Sequence, residues 1–210
     1  MDLIFGRFFG RAGDHYTIYL FTGVVVMSYY TQATNAGMSA LGSNASIFSK
    51  VKVPKYLFVF STITAASINF ILTLIIYFAF VLFEGLPVVW DYVLLLFPVG
   101  CLLMVIAGAA LVLSVLNVFF KDIQYLYGLF LTVLTYCTPI FYKIDIMGID
   151  ERYFLINPLY LVINYIREIV IYDHVPSWEY HVGCLFYGIA VLLLGIWIYK
   201  RYNRKILYYI

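Results

Sequence analysis

The chain has 210 residues, 64% of them hydrophobic and 11% charged, with a formal net charge of +2. A soluble domain carries about 25% charged residues, so this chain has too little charge to cover a water-exposed surface. With so small a net charge, no strongly basic face suggests nucleic acid.

The missing polarity is segregated. Charge-free runs cover Tyr16–Ser49, Tyr56–Phe83, Tyr92–Phe120, Ile123–Tyr142 and His181–Tyr199. A helix needs about 20 residues to cross roughly 30 Å of hydrocarbon. The runs lack the alternation of barrel strands, and only helices or closed barrels satisfy their backbone in lipid. The expected class is an all-α integral membrane protein, with spans at about 17–38, 56–83, 92–117, 123–141 and 180–199.

In chain order, the opening "MDLIFGRFFGRAGDHY" has an apolar patch too short for a cleavable signal peptide, with Arg7 and Arg11 close to it. After the first span, "NAGMSALGSNASIFSKVKVPKYLF" (35–58) is rich in small residues and turns basic in its second half. Pro54 breaks any helix running through it. A short amphipathic helix at about 42–51, lying on the membrane surface, fits this composition. An ordinary basic loop against anionic headgroups fits it as well.

Between the third and fourth spans, "NVFFKD" places Asn117, Lys121 and Asp122 in an otherwise oily stretch. It reads as a tight turn between antiparallel spans. Asn117 releases the backbone from the helix, Lys121 stays in water, and the Asp122 carboxylate meets the free N–H groups of the next helix.

The fourth span ends at "TPIFYK", where Pro139 breaks it. Asn157 and Pro158 then form a helix start, a cap followed by proline in the first turn. The apolar run from Pro158 to Ile166 is too short to cross, and Arg167 and Glu168 interrupt it. Such a segment reads as re-entrant or interfacial. Charges at membrane depth are costly unless paired or wet, which makes Arg167 and Glu168 functional candidates. The alternative is a helix lying flat with both charges among headgroups.

Counting along alternating linkers, one side carries Lys50, Lys52, Lys55, Lys121, Lys200, Arg201, Arg204 and Lys205. The other carries Arg7, Arg11, Lys143, Arg152 and Arg167. The positive-inside rule puts the first side, with the C-terminus, in the cytoplasm. Cys101, Cys137 and Cys184 lie in apolar runs without metal-ligand spacing, and no disulfide framework is implied. His15, His174 and His181 fall near span ends. Tyrosines such as Tyr29, Tyr30, Tyr142, Tyr199 and Tyr202 suit interfacial belts; a sugar-conducting path would use aromatic faces too. No catalytic constellation and no phosphate-binding glycine loop appear, so no cofactor is expected on this chain.

Seven stretches in order, "YLFTG" (19–23), "NAG" (35–37), "KVKVPK" (50–55), "LNVFFKDI" (116–123), "TPIFY" (138–142), "NPL" (157–159) and "YIRE" (165–168), resemble the membrane subunit of ABC-type polysaccharide exporters. Those permeases move lipid-linked O-antigen, teichoic acid or capsule chains out of bacteria. The resemblance implies a single transmembrane domain over 1–210, in the bacterial cytoplasmic membrane, with five spans here and six in the family. It implies a homodimer working with two ATPase subunits that use the ATP. It also implies a coupling helix at roughly Ser43 to Lys55, with Lys50, Lys52, Pro54 and Lys55 near the ATPase. Re-entrant outer helices would occupy 139–176, and a path lined partly by aromatics would lie between the subunits. The family carries an amphipathic lead-in and a first span before "YLFTG", and this chain is expected to lack both. The rival readings are an exporter of a drug or small lipid, a non-transporting remnant or scaffold, and a membrane enzyme acting on lipid-linked sugars.

Overall fold

The computed structural model describes residues 15–48, 53–86, 90–142 and 151–209. Among these there is no strand. The helices are α1 (Tyr16–Ser43), α2 (the single turn Ala45–Phe48), α3 (Tyr56–Phe83), α4 (Leu96–Phe119), α5 (Ile123–Cys137), α6 (Pro158–Val170) and α7 (Trp178–Tyr209). Short 3₁₀ segments, Trp90–Leu95 and Glu151–Ile156, lead into α4 and α6.

Three helical segments among the described residues are both long and apolar enough to cross a membrane: Tyr56–Phe83, Trp90–Phe119 and Trp178–Asn203. This is fewer than the five spans expected, for two physical reasons. α1 has the length, 28 residues, but carries Thr22, Ser28, Thr31, Gln32, Thr34, Asn35 and Ser39 along it. α5 has 15 residues, about 22 Å at 1.5 Å per residue, because it stops at Cys137 rather than at 141. Thr138 is already extended (φ −90°, ψ 126°), as a residue before proline prefers.

Several polar groups of α1, those of Thr22, Tyr29 and Thr34, are folded inward. The Thr22 hydroxyl bonds Ile18 O at 2.8 Å and the Tyr77 hydroxyl of α3 at 2.7 Å. Tyr29 shares a 2.7 Å hydrogen bond with Ser67 and stacks on Phe70 with centroids 4.1 Å apart. The Tyr127 hydroxyl of α5 donates to Thr34 at 2.7 Å, and Thr34 donates to Tyr30 O. Without water, a hydroxyl keeps such partners or loses stability.

α1 and α4 form the centre, with α3 against α1, α7 against α4, and α6 wedged against α1, α4 and α7 at one end. Small residues set these distances. A Cβ on Gly37 of α1 would come within 2.6 Å of the Ala110 Cβ on α4. A Cβ on Gly108 would meet the Val191 carbonyl, and one on Gly195 would meet Gly108 itself, so α4 and α7 touch backbone to backbone.

The bundle has two unlike ends. One, the hairpin end, gathers the start of α1, the end of α3, residues 138–142 after α5 and the starts of α6 and α7; here His15 Nδ1 lies 3.0 Å from Glu84 Oε2. The other, the basic end, gathers the end of α1 with Lys55, Lys121, Lys200, Arg201 and Lys205; here Lys55 Nζ donates to Asn203 O at 3.0 Å.

Candidate functional site

At the hairpin end, α6 begins as its sequence dictates. Asn157 accepts a hydrogen bond from Leu159 N at 3.0 Å, and Pro158 occupies the first turn. The Asn157 amide also donates to Thr138 Oγ1 at 2.8 Å, tying the helix start to the end of α5. Ten of the thirteen α6 residues are buried, so α6 is enclosed by its neighbours.

Arg167 is buried completely, at 0% exposure. Its Nε and Nη2 donate to Tyr19 O at 3.2 and 2.9 Å, Nη1 to Pro139 O at 2.9 Å, and Nη2 to Ile140 O at 3.4 Å. The guanidinium carbon sits 3.4 Å from the Tyr19 ring centroid. The cost of burying this cation is met by carbonyls and a ring face. Desolvation lowers its pKa from the ordinary arginine value, yet a guanidinium remains charged at neutral pH. The Tyr19 hydroxyl returns to the same loop, donating to Tyr142 O at 3.0 Å, and Tyr16 donates to Phe141 O at 2.9 Å. Gly23 leaves the room: a Cβ there would lie 2.8 Å from Ile140 Cγ2 and 3.1 Å from Arg167 Nη2. Glu168 is half-buried, and its carbonyl accepts from His174 N at 3.0 Å.

Alongside this clamp runs an open groove of about 550 Å³ between α1 and α5. Val24, Ser28, Thr31 and Gln32 of α1 face Thr135 of α5, and Ile140 and Phe141 close one end. Ser28 and Gln32 are exposed, one turn apart. The lining is mostly apolar, with Val24, Met27, Ile140 and the Phe141 ring, and carries three hydroxyls and one amide but no charge. It can exchange hydrogen bonds with a hydroxylated solute and stack on it. Among the described residues no cluster could hold a metal ion.

At the basic end, Asn117 lies inside α4 and does not release the backbone; its amide donates to Met38 O at 3.1 Å, binding α4 to the end of α1. Gln124 Nε2 reaches Ser39 Oγ at 3.3 Å. Lys121 and Asp122 are exposed. Asp122 stands at the N-cap of α5 with helical backbone angles, and its carboxylate makes no capping hydrogen bond; the turn is closed by Ile123 N donating to Phe120 O. Lys55 is 9% exposed, not a free surface cation, and burial lowers its pKa. Pro54 immediately precedes it, and its carbonyl accepts from Leu57 N at 3.1 Å. Of the helix expected at 42–51, α1 supplies the beginning and α2 one turn; Lys50 and Lys52 lie outside the described residues.

Sequence reasoning found Arg167, Asn157 and the prolines, since a charge or a cap inside an apolar run stands out. It named Tyr19 and Gly23 only within "YLFTG", without a role, and it missed the Ser28/Gln32 face. The recurrence of polar residues at 28, 31, 32 and 35 was the available signal for the last.

Residues 1–171 match the ABC-2 type transporter family. Two O-antigen export system permease proteins RfbA of Klebsiella pneumoniae are each 25% identical to the chain over 196 residues, 91% of this chain and 74% of theirs. The RfbA permease of Myxococcus xanthus is 25% identical over 166 residues, 76% of this chain and 62% of its own. With that match, its multi-pass apolar helices and the meeting of "YLFTG", "TPIFY", "NPL" and "YIRE" around Arg167, the chain belongs to the ABC-2 type transporter family as a membrane permease.

Proposed function

We propose that the chain is the permease subunit of an ABC exporter that carries a lipid-linked polysaccharide, such as an O-antigen, across the bacterial cytoplasmic membrane. The observation that carries this reading is the uncharged groove between α1 and α5, apolar with three hydroxyls and one amide set into it, in a chain that aligns with O-antigen permeases over 91% of its length. A polysaccharide presents hydroxyls and C–H faces and needs many weak, exchangeable contacts, not one tight pocket.

On this reading two copies face each other across the path, and the basic end lies in the cytoplasm. A separate ATPase subunit binds the segment that contains Lys50 and Lys52 and hydrolyses the ATP. Its closure moves α1 and α3 as rigid levers. The hairpin clamped by Arg167 forms the outer mouth, the re-entrant part of the path. Lys55, held by α7, passes motion from the coupling segment into the bundle instead of contacting the motor.

Deleting the gene in its host and following radiolabelled glycan tests this. Lipid-linked polymer should accumulate on the cytoplasmic face and disappear from the cell surface. Normal surface glycan, with lost protection against drugs, would instead assign a small amphiphile as the solute.

A further inference from the structure

The geometry points to a binding site for an anionic phospholipid between the ends of α4 and α7 at the basic end. A groove of about 750 Å³ opens there, with Leu116 and Phe119 of α4 opposite Trp197, Arg201, Tyr202 and Lys205 of α7. Trp197, Arg201 and Lys205 are spaced four residues apart and form one stripe down α7. The stripe changes character along its length. The Trp197 end is apolar and faces Leu116; Arg201 and Lys205 follow about 6 and 12 Å further toward the helix terminus. That order matches an acyl chain below a headgroup.

The charges are held ready for a phosphate. The Arg201 guanidinium carbon lies 5.4 Å from the Trp197 ring centroid, and Lys205 Nζ lies 5.9 Å from the Tyr202 ring centroid. Neither forms an ion pair among the described residues. Tyr202 is braced edge-on by Phe119, with centroids 5.8 Å apart. A guanidinium can fork onto a phosphodiester while a lysine adds a point charge. Basic pockets between helices at a membrane surface take such headgroups. The bland role of these residues, favouring the negative end of the α7 dipole, explains their sign but not the apolar groove beneath them. The inference needs only that α4 and α7 cross a membrane, and it is independent of the solute carried.

The test uses the full chain with Trp90→Phe and Trp178→Phe, which leaves Trp197 as the reporter, in phosphatidylcholine bilayers. Brominated phosphatidylglycerol is titrated against brominated phosphatidylcholine, and quenching of Trp197 is read. Phosphatidylglycerol should compete preferentially. Arg201→Gln with Lys205→Gln should reduce that preference about thirty-fold, for two basic groups near the surface. Arg201→Lys with Lys205→Arg should keep most of it. Equal quenching by both lipids would overturn the site, as would a preference that survives the glutamine pair. Quenching by neither would also overturn it, since a protein segment would then fill the groove.

Discussion

The Arg167 guanidinium covers the Tyr19 ring at 3.4 Å and donates two hydrogen bonds to the carbonyl of that same residue. A third bond, to Pro139 O, ties the segment after α5 to the same α6 side chain. One buried cation thereby fixes three chain segments. Removing it leaves carbonyls unpaired. Arg167→Ala should lower stability by about 2 to 4 kcal/mol, and Arg167→Lys by roughly half of that because an ammonium cannot fork. Thermal unfolding of purified protein in micelles checks both values and their order.

Tyr19→Phe keeps the ring beneath the cation and loses the hydroxyl bond to Tyr142 O. A loss of about 1 kcal/mol is expected. Tyr19→Leu also removes the ring face and should cost about 2 kcal/mol more. Equal melting of the two variants would show that the ring contributes nothing.

Glycines should divide by what surrounds them. Gly23→Ala pushes against Ile140 and Arg167, and Gly195→Ala pushes against the α4 backbone. Each should destabilise by about 1 to 3 kcal/mol. Gly128→Ala has nothing within 4 Å of the added methyl and should be neutral or stabilising by about 0.5 to 1 kcal/mol. The three melting temperatures, measured side by side, separate close packing from helix propensity.

Asn157→Ala removes the α6 cap and the link to Thr138. About 1 to 2 kcal/mol should be lost, and amide exchange at the start of α6 should rise first. Exchange spread evenly over all helices would contradict a local cap.

The elements that sequence revealed were those whose signal is local. Asn157 and Pro158 start α6 because a cap and a proline need no distant partner. Pro139 ends the helix before it for the same reason. Elements governed by neighbours were read less well. α1 was visible as a charge-free run, whereas the partners of its hydroxyls, Tyr77, Ser67 and Tyr127 on other helices, were not. Asn117 looked like a helix terminator, yet a carbonyl at Met38, distant in sequence, holds it inside α4. Lys55 looked like a surface cation until α7 covered it. The buried Arg167 was visible as a charge in an apolar run, whereas its partner Tyr19 was one tyrosine among 21.

The most direct measurement is ATP-dependent uptake of a radiolabelled lipid-linked polysaccharide into inside-out membrane vesicles carrying this chain and its ATPase. Uptake should be robust with the unaltered chain. Ser28→Leu combined with Gln32→Leu should reduce it at least tenfold, with melting temperature and ATP hydrolysis preserved. Undiminished uptake in that variant would remove the α1–α5 groove from the path, and no ATP-dependent uptake in the unaltered chain would contradict polysaccharide export itself.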